Sequence, residues 1–443
     1  MPSPRRRGRA AAASVLTTAL LCSVWTGGVA GAAPTPPPPG GALGAGMGAS
    51  APPTTVSGST VRPIVALSPV PARKAQSGPV PPALYGKSDP SADGVYRQSL
   101  AILALASTDS TPAPTAIEWL LGQQCADGGF TAYRADPAAP CDADREDTVA
   151  TATAMEALRA LRTYDTRVAR GGDWLRSKQL PDGSFAAVPG PNAIGDPTAT
   201  AAAISAIVTA GRSPELLKSP QGRTPTDALR AAQLGCTAPE PDRGAFAAGP
   251  GAPVDPLLSG RSVLALGYGT QPAVPAPSIA ITPPVCPGAE PNRQAAAQGG
   301  AAWLIAKLKA GGNHIGGPTD FDATVAAVQA LSATGHPAEA GAAADWLAAG
   351  AKTMAGNDPV RLASLILAAV ATNRTVTTFG GLDLPNLLAA TGPAATPTAD
   401  MTNQSNLIDG PEDHTLRDTV GAVIAVLLAA TLILGMRRGR RED

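Results

Sequence analysis

Acidic side chains are the residues of this chain whose spacing could do chemistry. Asp142 and Asp144 lie two positions apart in a short acidic run, and Asp320 and Asp322 repeat that spacing. Paired carboxylates can bind a cation, accept hydrogen bonds from hydroxyl or amide groups, or act as an acid when one of them keeps its proton. Arg145 follows the first pair, and a guanidinium favours the ionised form of its neighbours. The first pair therefore suits binding better than proton donation.

Other aspartates open Ala-rich apolar segments, at Asp147, Asp196, Asp255, Asp322 and Asp358. Aspartate is a favoured N-cap, and proline suits the first helical position that follows several of them. Capping explains each of these aspartates singly. If the helix starts share one surface, some of them would also rim a site for a cation or for a small molecule rich in hydroxyl or amide groups. The predicted rim consists of Asp142, Asp144, Asp147, Asp196, Asp320 and Asp322.

The elements that would position these residues repeat along the chain. The pattern Trp-Leu-x3-Gln-x2-Asp-Gly-x-Phe runs from Trp119 to Phe130 and again from Trp174 to Phe185, 55 residues later. A degraded third copy follows, and each copy precedes one of the Ala-rich segments. One pair of helices cannot bury its apolar face alone, so repeated pairs are expected to stack.

Apolar periodicity and helix start signals predict twelve helices and no strand. Their expected spans are 92–106, 113–124, 147–163, 168–179, 197–210, 225–234, 257–268, 295–309, 321–334, 338–350, 358–372 and 383–391. The Ala-rich helices are apolar on most faces and should form an inner ring, with the charged Trp-bearing helices outside. Half-repeats at the two ends favour a closed ring. The predicted fold class is all-α, an (α/α)6 toroid.

Segments on either side of this domain predict export and anchoring. Residues 1–32 have the pattern of a signal peptide, and the Pro-rich stretch 33–90 is typical of a disordered spacer. The toroid is expected over 91–392 and a linker over 393–418. The uncharged apolar run 419–436 is long enough to cross a bilayer, and arginines in 437–443 mark its cytoplasmic end. The expected location is the cell membrane, with the folded domain outside the cell.

The segment from Leu388 to Gly392 resembles a sortase sorting signal. Sorting signals normally lie beside the hydrophobic segment, whereas this one is separated from it by the linker. A helix end with Gly392 as its C-terminal cap is the preferred interpretation.

Four cysteines remain after the signal peptide: Cys125, Cys141, Cys236 and Cys286. An even number in an exported chain indicates two disulfides, with three connectivities to choose from. We favour Cys125 with Cys141 and Cys236 with Cys286, because each pair closes a local segment. A metal site is not expected, since no Cys-x-x-Cys spacing occurs and the chain has only three histidines.

The balanced charge of the chain, with 34 basic and 34 acidic residues, comes from its two ends. Four arginines open the chain and four nearly close it, so the part between them is acidic. A nucleic-acid-binding domain needs a basic surface. Nucleic acid is therefore excluded as a partner.

The repeat of Trp, Gln, Asp-Gly and Phe, followed by an acidic helix start, resembles the prenyltransferase and squalene-oxidase repeat. The resemblance covers about residues 91–391 and implies the (α/α)6 toroid of terpene cyclases, protein prenyltransferase β subunits, cobalamin carriers and thioester domains. For a terpene cyclase it would imply Asp142 and Asp144 as the acid. The chain departs from that pattern at Arg145, and its 3% aromatic content is low for a cavity that stabilises carbocations.

We therefore expect binding rather than catalysis, with no cofactor. The predicted partner is a small molecule or a protein of the cell surface or membrane. Terpene cyclase or prenyltransferase activity on an isoprenoid is the alternative, and a corrinoid carrier is the second alternative.

Overall fold

The computed structural model describes residues 80–108, 110–281, 292–316 and 321–393. These residues form twelve α-helices and no strand, as predicted. The helices are α1 (Gly94–Ala106), α2 (Pro114–Gln123), α3 (Thr148–Ala160), α4 (Asp165–Lys178), α5 (Pro197–Thr209), α6 (Pro225–Ala231), α7 (Pro256–Leu266), α8 (Arg293–Gly311), α9 (Asp322–Ala333), α10 (Pro337–Ala355), α11 (Pro359–Ala371) and α12 (Leu384–Ala390).

The odd-numbered helices form a closed inner ring. Each of them packs on the next, from α1 through α3, α5, α7 and α9 to α11, and α11 packs on α1. The even-numbered helices lie outside this ring, and α12 contacts both α11 and α1. The inner helices approach closely because their facing residues are small. At Gly260 of α7, an added Cβ would lie 2.7 Å from the Cβ of Ala326 in α9.

The glutamine of the repeat motif joins successive repeats. The Nε2 of Gln124 donates to the carbonyls of Gly128, 3.0 Å away, and of Arg167 in α4, also 3.0 Å away. Gln179 and Gln233 make the same two kinds of bond in their own repeats. Each glutamine thus joins the turn that follows it to the next repeat, at Arg167 in α4, at Arg223 just before α6 and at Ala296 in α8, and the motif is explained by the architecture.

Aspartate capping of the inner helices is observed at four of the five predicted positions. The side chains of Asp147, Asp196, Asp255 and Asp358 accept backbone N–H groups of the first turn that follows. Asp322 differs, because the backbone at Phe321 already has helical φ and ψ, so Asp322 is the first helical residue of α9. Phe321 is fully buried.

The ring closes where its two ends meet. The backbone N–H of Gly86 donates to the carbonyl of Thr391 at 2.9 Å, and the buried ring of Tyr85 lies against Gly392. Leu388 of α12 is buried as well. The sequence that resembles a sorting signal is thus the packed end of the last helix.

A disulfide joins Cys125 and Cys141, as predicted. Cys236 is also disulfide-bonded, and Cys286, its predicted partner, lies outside the described residues. The predicted signal peptide and membrane span lie outside them too, together with residues 33–79 of the predicted spacer and 394–418 of the linker. The last residues of the predicted spacer, 80–90, are described, and Tyr85 among them is buried in the ring. Among the helices that the structure describes, none combines the length and apolarity needed to span a bilayer.

Candidate ligand-binding cavity

A cavity of about 430 Å³ lies inside the inner ring. Residues of α1, α3, α7, α9 and α11 line it, mostly from the first two turns of each helix. A smaller chamber of about 50 Å³ extends from it between α3, α5 and α7, and the two share Tyr96, Val149, Arg261, Leu264 and Gln271. The volume lies in the range of pockets that hold small organic molecules.

The walls of the cavity are mainly aliphatic. Leu100, Leu257, Leu264, Val325 and Leu367 are among the residues that line it. Tyr96 is the one aromatic residue among the described residues that line it. A ligand of this cavity would gain free energy chiefly by burying apolar area.

Three carboxylates lie where the inner helices begin: Asp93 before α1, Asp147 before α3 and Asp322 at the start of α9. Burial raises the pKa of Asp93, and the guanidinium of Arg97, 3.2 Å away, offsets only part of this rise. Burial also raises the pKa of Asp147, whose side chain accepts the N–H of Ala150 at 2.7 Å. This end of the cavity is therefore acidic.

Glu156 lies deeper, in the third turn of α3, and lines the smaller chamber. The residue is 6% exposed, and burial raises the pKa of its carboxyl to about 8. The backbone N–H of Gln271 lies against this carboxyl and partly offsets the rise in pKa. Its Oε1 atom has no hydrogen-bond partner among the described residues. At neutral pH this side chain is mainly a protonated, uncharged acid.

Gln329 of α9 lines the main cavity and is 3% exposed. Its Oε1 accepts the backbone N–H of Ala273 at 2.7 Å, which fixes the orientation of the amide. The Nε2 of the same amide is buried and has no hydrogen-bond partner in the described part of the chain. The side chain therefore offers one unused donor.

The loop after α7 forms the floor of the cavity. Three hydrogen bonds hold this loop. The backbone N–H groups of Ala276 and Ile279 donate to the carbonyls of Ser332 and Gly335, and the hydroxyl of Ser205 donates to the carbonyl of Gly269. Gln271 in this loop lines both the cavity and the chamber. This loop is thus held in place by α5 and by the end of α9 and the turn that follows it.

The predicted rim residues are distributed over several places. Asp147 and Asp322 line the cavity. Asp142 and Asp144 are exposed on a short 3-10 turn beside the disulfide, and Asp196 caps α5. Asp320 lies outside the described residues. The structure brings two of the six to the cavity, and a ligand-binding role for the six remains a prediction.

Sequence reasoning did not single out Tyr96, Glu156, Arg261 or Gln329 as site residues. A usable signal was present, because Glu156 and Arg261 are the charged residues in the middle of otherwise small or apolar inner helices. Val149, Thr153 and Glu156 also follow one face of α3 at helical spacing, and all three line the chamber.

One group of side chains in the described residues has the proximity of metal ligands: Cys125, Asp127 and Glu146. The sulfur of Cys125 is committed to the disulfide. Glu146 accepts the Nε1 of Trp174 at 2.6 Å and pairs with the Nζ of Lys178 at 3.3 Å. The bonding of this group is structural, and it does not form a metal centre.

No protein-family model matches the chain, and no curated protein matches it in sequence. The fold is structurally similar, at low identity, to that of type II terpene cyclases. Two structures of the type II terpene cyclase MstE from Scytonema match. An apo variant has 13% identity and a TM-score of 0.37, and the match covers 68% of this chain and 87% of that one. A second variant, bound to its substrate geranylgeranyl dihydroxybenzoate, has 12% identity and a TM-score of 0.39, with coverage of 71% of this chain and 93% of that one. A protein from Actinoplanes matches with 18% identity, a TM-score of 0.35 and coverage of 58% and 71%.

Proposed function

We propose that this protein binds a small, mainly apolar molecule inside its ring of helices. The observation that carries the proposal is the cavity of about 430 Å³ with aliphatic walls and a few polar groups. Such cavities bury most of the surface of a ligand, and the few polar groups orient it. A corrinoid carrier stays the second alternative.

The proposal includes a location at the cell surface. The signal-like segment 1–32, the Pro-rich stretch 33–90 and the apolar run 419–436 support an exported domain on a single C-terminal membrane anchor. The disulfide between Cys125 and Cys141 is in keeping with an oxidising compartment. In this proposal the ring takes up or presents its ligand outside the cell.

Glu156 favours a second candidate function, acid-initiated chemistry on an isoprenoid alkene. A carboxylic acid that stays protonated in an apolar chamber can donate a proton. Among the described residues that line the cavity and its chamber, Tyr96 is the one aromatic ring that could stabilise a carbocation formed there. Binding is therefore preferred. Turnover of a prenyl or squalene-like substrate, abolished in Glu156→Gln, would reverse this preference.

A neutral fluorescent probe tests the binding proposal directly. N-phenyl-1-naphthylamine fluoresces in apolar surroundings, and we expect saturable binding with one molecule per chain of the purified full-length protein. Val149→Phe fills the junction of the cavity and its chamber and should weaken binding at least tenfold. Val188→Phe is the matched control, because Val188 is 46% exposed and lies outside the cavity. Absence of saturable binding, or equal affinity for Val149→Phe and the wild type, would overturn the proposal.

A further inference from the structure

Two buried polar atoms at the inner end of the cavity lack partners among the described residues: Oε1 of Glu156 and Nε2 of Gln329. Leaving a buried polar atom unpaired is costly, so nearly all such atoms in folded proteins have a partner. Both side chains line the connected cavity space. Their missing partner is therefore expected to be something that occupies this space.

The surroundings of these two side chains determine whether each acts as a hydrogen-bond donor or acceptor. Ala273 N–H occupies the oxygen of the Gln329 amide, so the free atom of that amide is a donor. Glu156 is an uncharged acid at neutral pH, because it is buried away from water and no described cation pairs with it. A protonated carboxyl has an O–H to donate. Each group can therefore donate a hydrogen bond to an oxygen atom of a ligand.

Charges along the cavity disfavour an ionic ligand. Carboxylates at the starts of α1, α3 and α9 would repel an anion that enters from that end. Arg261 lines both the cavity and the chamber and has no ion-pair partner in the described part of the chain, so at the inner end it would repel a cationic head and attract an anionic one. An anionic head must first pass the carboxylates, whereas an uncharged head meets neither repulsion.

We propose that the ligand is an uncharged, chain-like apolar molecule that enters oxygen first, and that its carbonyl or hydroxyl oxygen accepts hydrogen bonds from Glu156 and Gln329. The proposal rests on the binding function above and adds the chemical class of the ligand. The aliphatic residues Leu264 and Leu367 then contact the hydrocarbon part.

A competition series with one hydrocarbon chain tests the head group alone. Dodecan-2-one, dodecanoate and dodecylammonium would each displace N-phenyl-1-naphthylamine from the full-length protein at pH 7. We expect the ketone to bind at least tenfold more tightly than either ion. If the fluorescent probe binds and all three compounds displace it equally, the head-group proposal fails while the binding function stands. If the probe does not bind the cavity, the binding function itself fails.

Substitutions identify the two donors. Glu156→Met and Gln329→Met should each weaken binding of dodecan-2-one about five- to tenfold, with less than a twofold change for the fluorescent probe, which has no carbonyl or hydroxyl oxygen. Glu156→Gln keeps a donor and should retain ketone binding. Glu118→Met, on the exposed side of α2, is the control. Unchanged ketone binding in both methionine variants would show that water alone satisfies the two atoms, and would overturn the proposal.

Discussion

Glu156 and Gln329 lie on opposite helices of the inner ring, and one loop contacts both. The backbone of Gln271 reaches Glu156 in α3, and the backbone N–H of Ala273, two residues later, donates to Gln329 in α9. Three steps around the ring separate these helices in either direction. The floor loop therefore orients the polar groups on both sides of the cavity at once.

The stability of the protein should fall as pH rises, because of Glu156. Burial raises the pKa of its carboxyl from 4.5 to about 8, so the folded state binds a proton that the unfolded state releases between these values. The free energy of unfolding should therefore decrease between pH 4.5 and 8 and lose no more from this group above pH 8. The total loss is about 5 kcal/mol.

Urea unfolding of the wild type and of Glu156→Gln at pH 4.5, 7 and 9 checks this expectation. The glutamine variant should match the wild type at pH 4.5 and exceed it most at pH 9. The other titratable or charged side chains that line the same chamber are Tyr96 of α1 and Arg261 of α7, and α5 contributes alanines and Ser205. A difference between the two proteins that does not change with pH would contradict the assignment.

Loss of the disulfide between Cys125 and Cys141 should destabilise the ring by about 3 kcal/mol, because the bond closes a loop with a sequence separation of 16. The double variant Cys125→Ala/Cys141→Ala tests this bond without reducing the one that involves Cys236. The midpoint of urea unfolding is the measurement, and an unchanged midpoint would show that the bond contributes nothing.

The repeat glutamine should matter for stability and not for ligand affinity. Gln124→Met removes the two hydrogen bonds of Nε2 and leaves the carbonyl of Gly128 without this donor, so we expect a loss of about 2–3 kcal/mol. Gln294→Met, at an exposed position of α8, should change stability by less than about 0.5 kcal/mol. Equal stability of the two variants would show that the motif does not join the repeats.

Closure of the ring depends on Tyr85, which is fully buried against Gly392. Tyr85→Ala should reduce the free energy of unfolding by about 3–4 kcal/mol, as for other large buried aromatic residues. Tyr85→Phe keeps the ring and loses only the 3.4 Å contact of the hydroxyl with the N–H of Ala113, so it should cost less than about 1 kcal/mol. Chemical unfolding of both variants distinguishes packing from hydrogen bonding, and similar losses would contradict this account.

The helices were predictable because their signals are local. Aspartate caps such as Asp147 and Asp196 mark helix starts by their own backbone geometry, and the observed starts lie within three residues of the predicted ones. Asp322 shows the limit of such reasoning, since the backbone at Phe321 is already helical and Asp322 is the first residue of α9 rather than its cap.

The cavity was not predictable in the same way, because it depends on which face of each inner helix points to the ring axis. Asp142 and Asp147 are close in sequence, yet one lies on an exposed turn and the other at the cavity. Glu156 and Gln329 are far apart in sequence, and only closure of the ring and the path of the floor loop place them around one space. The charge of Glu156 within a small-residue helix marks it as unusual, but the local sequence does not indicate that it and Gln329 share one space.

The hydrogen bond between Gly86 and Thr391 means that the chain enters and leaves the ring at a single point. Tension applied between the two ends of the folded domain would load this bond and the contact of Tyr85 with Gly392 before it stretched any inner helix. Joining these ends with a short peptide and opening the chain in another loop should likewise preserve the helix packing. In mechanical terms, the ring is held at one junction.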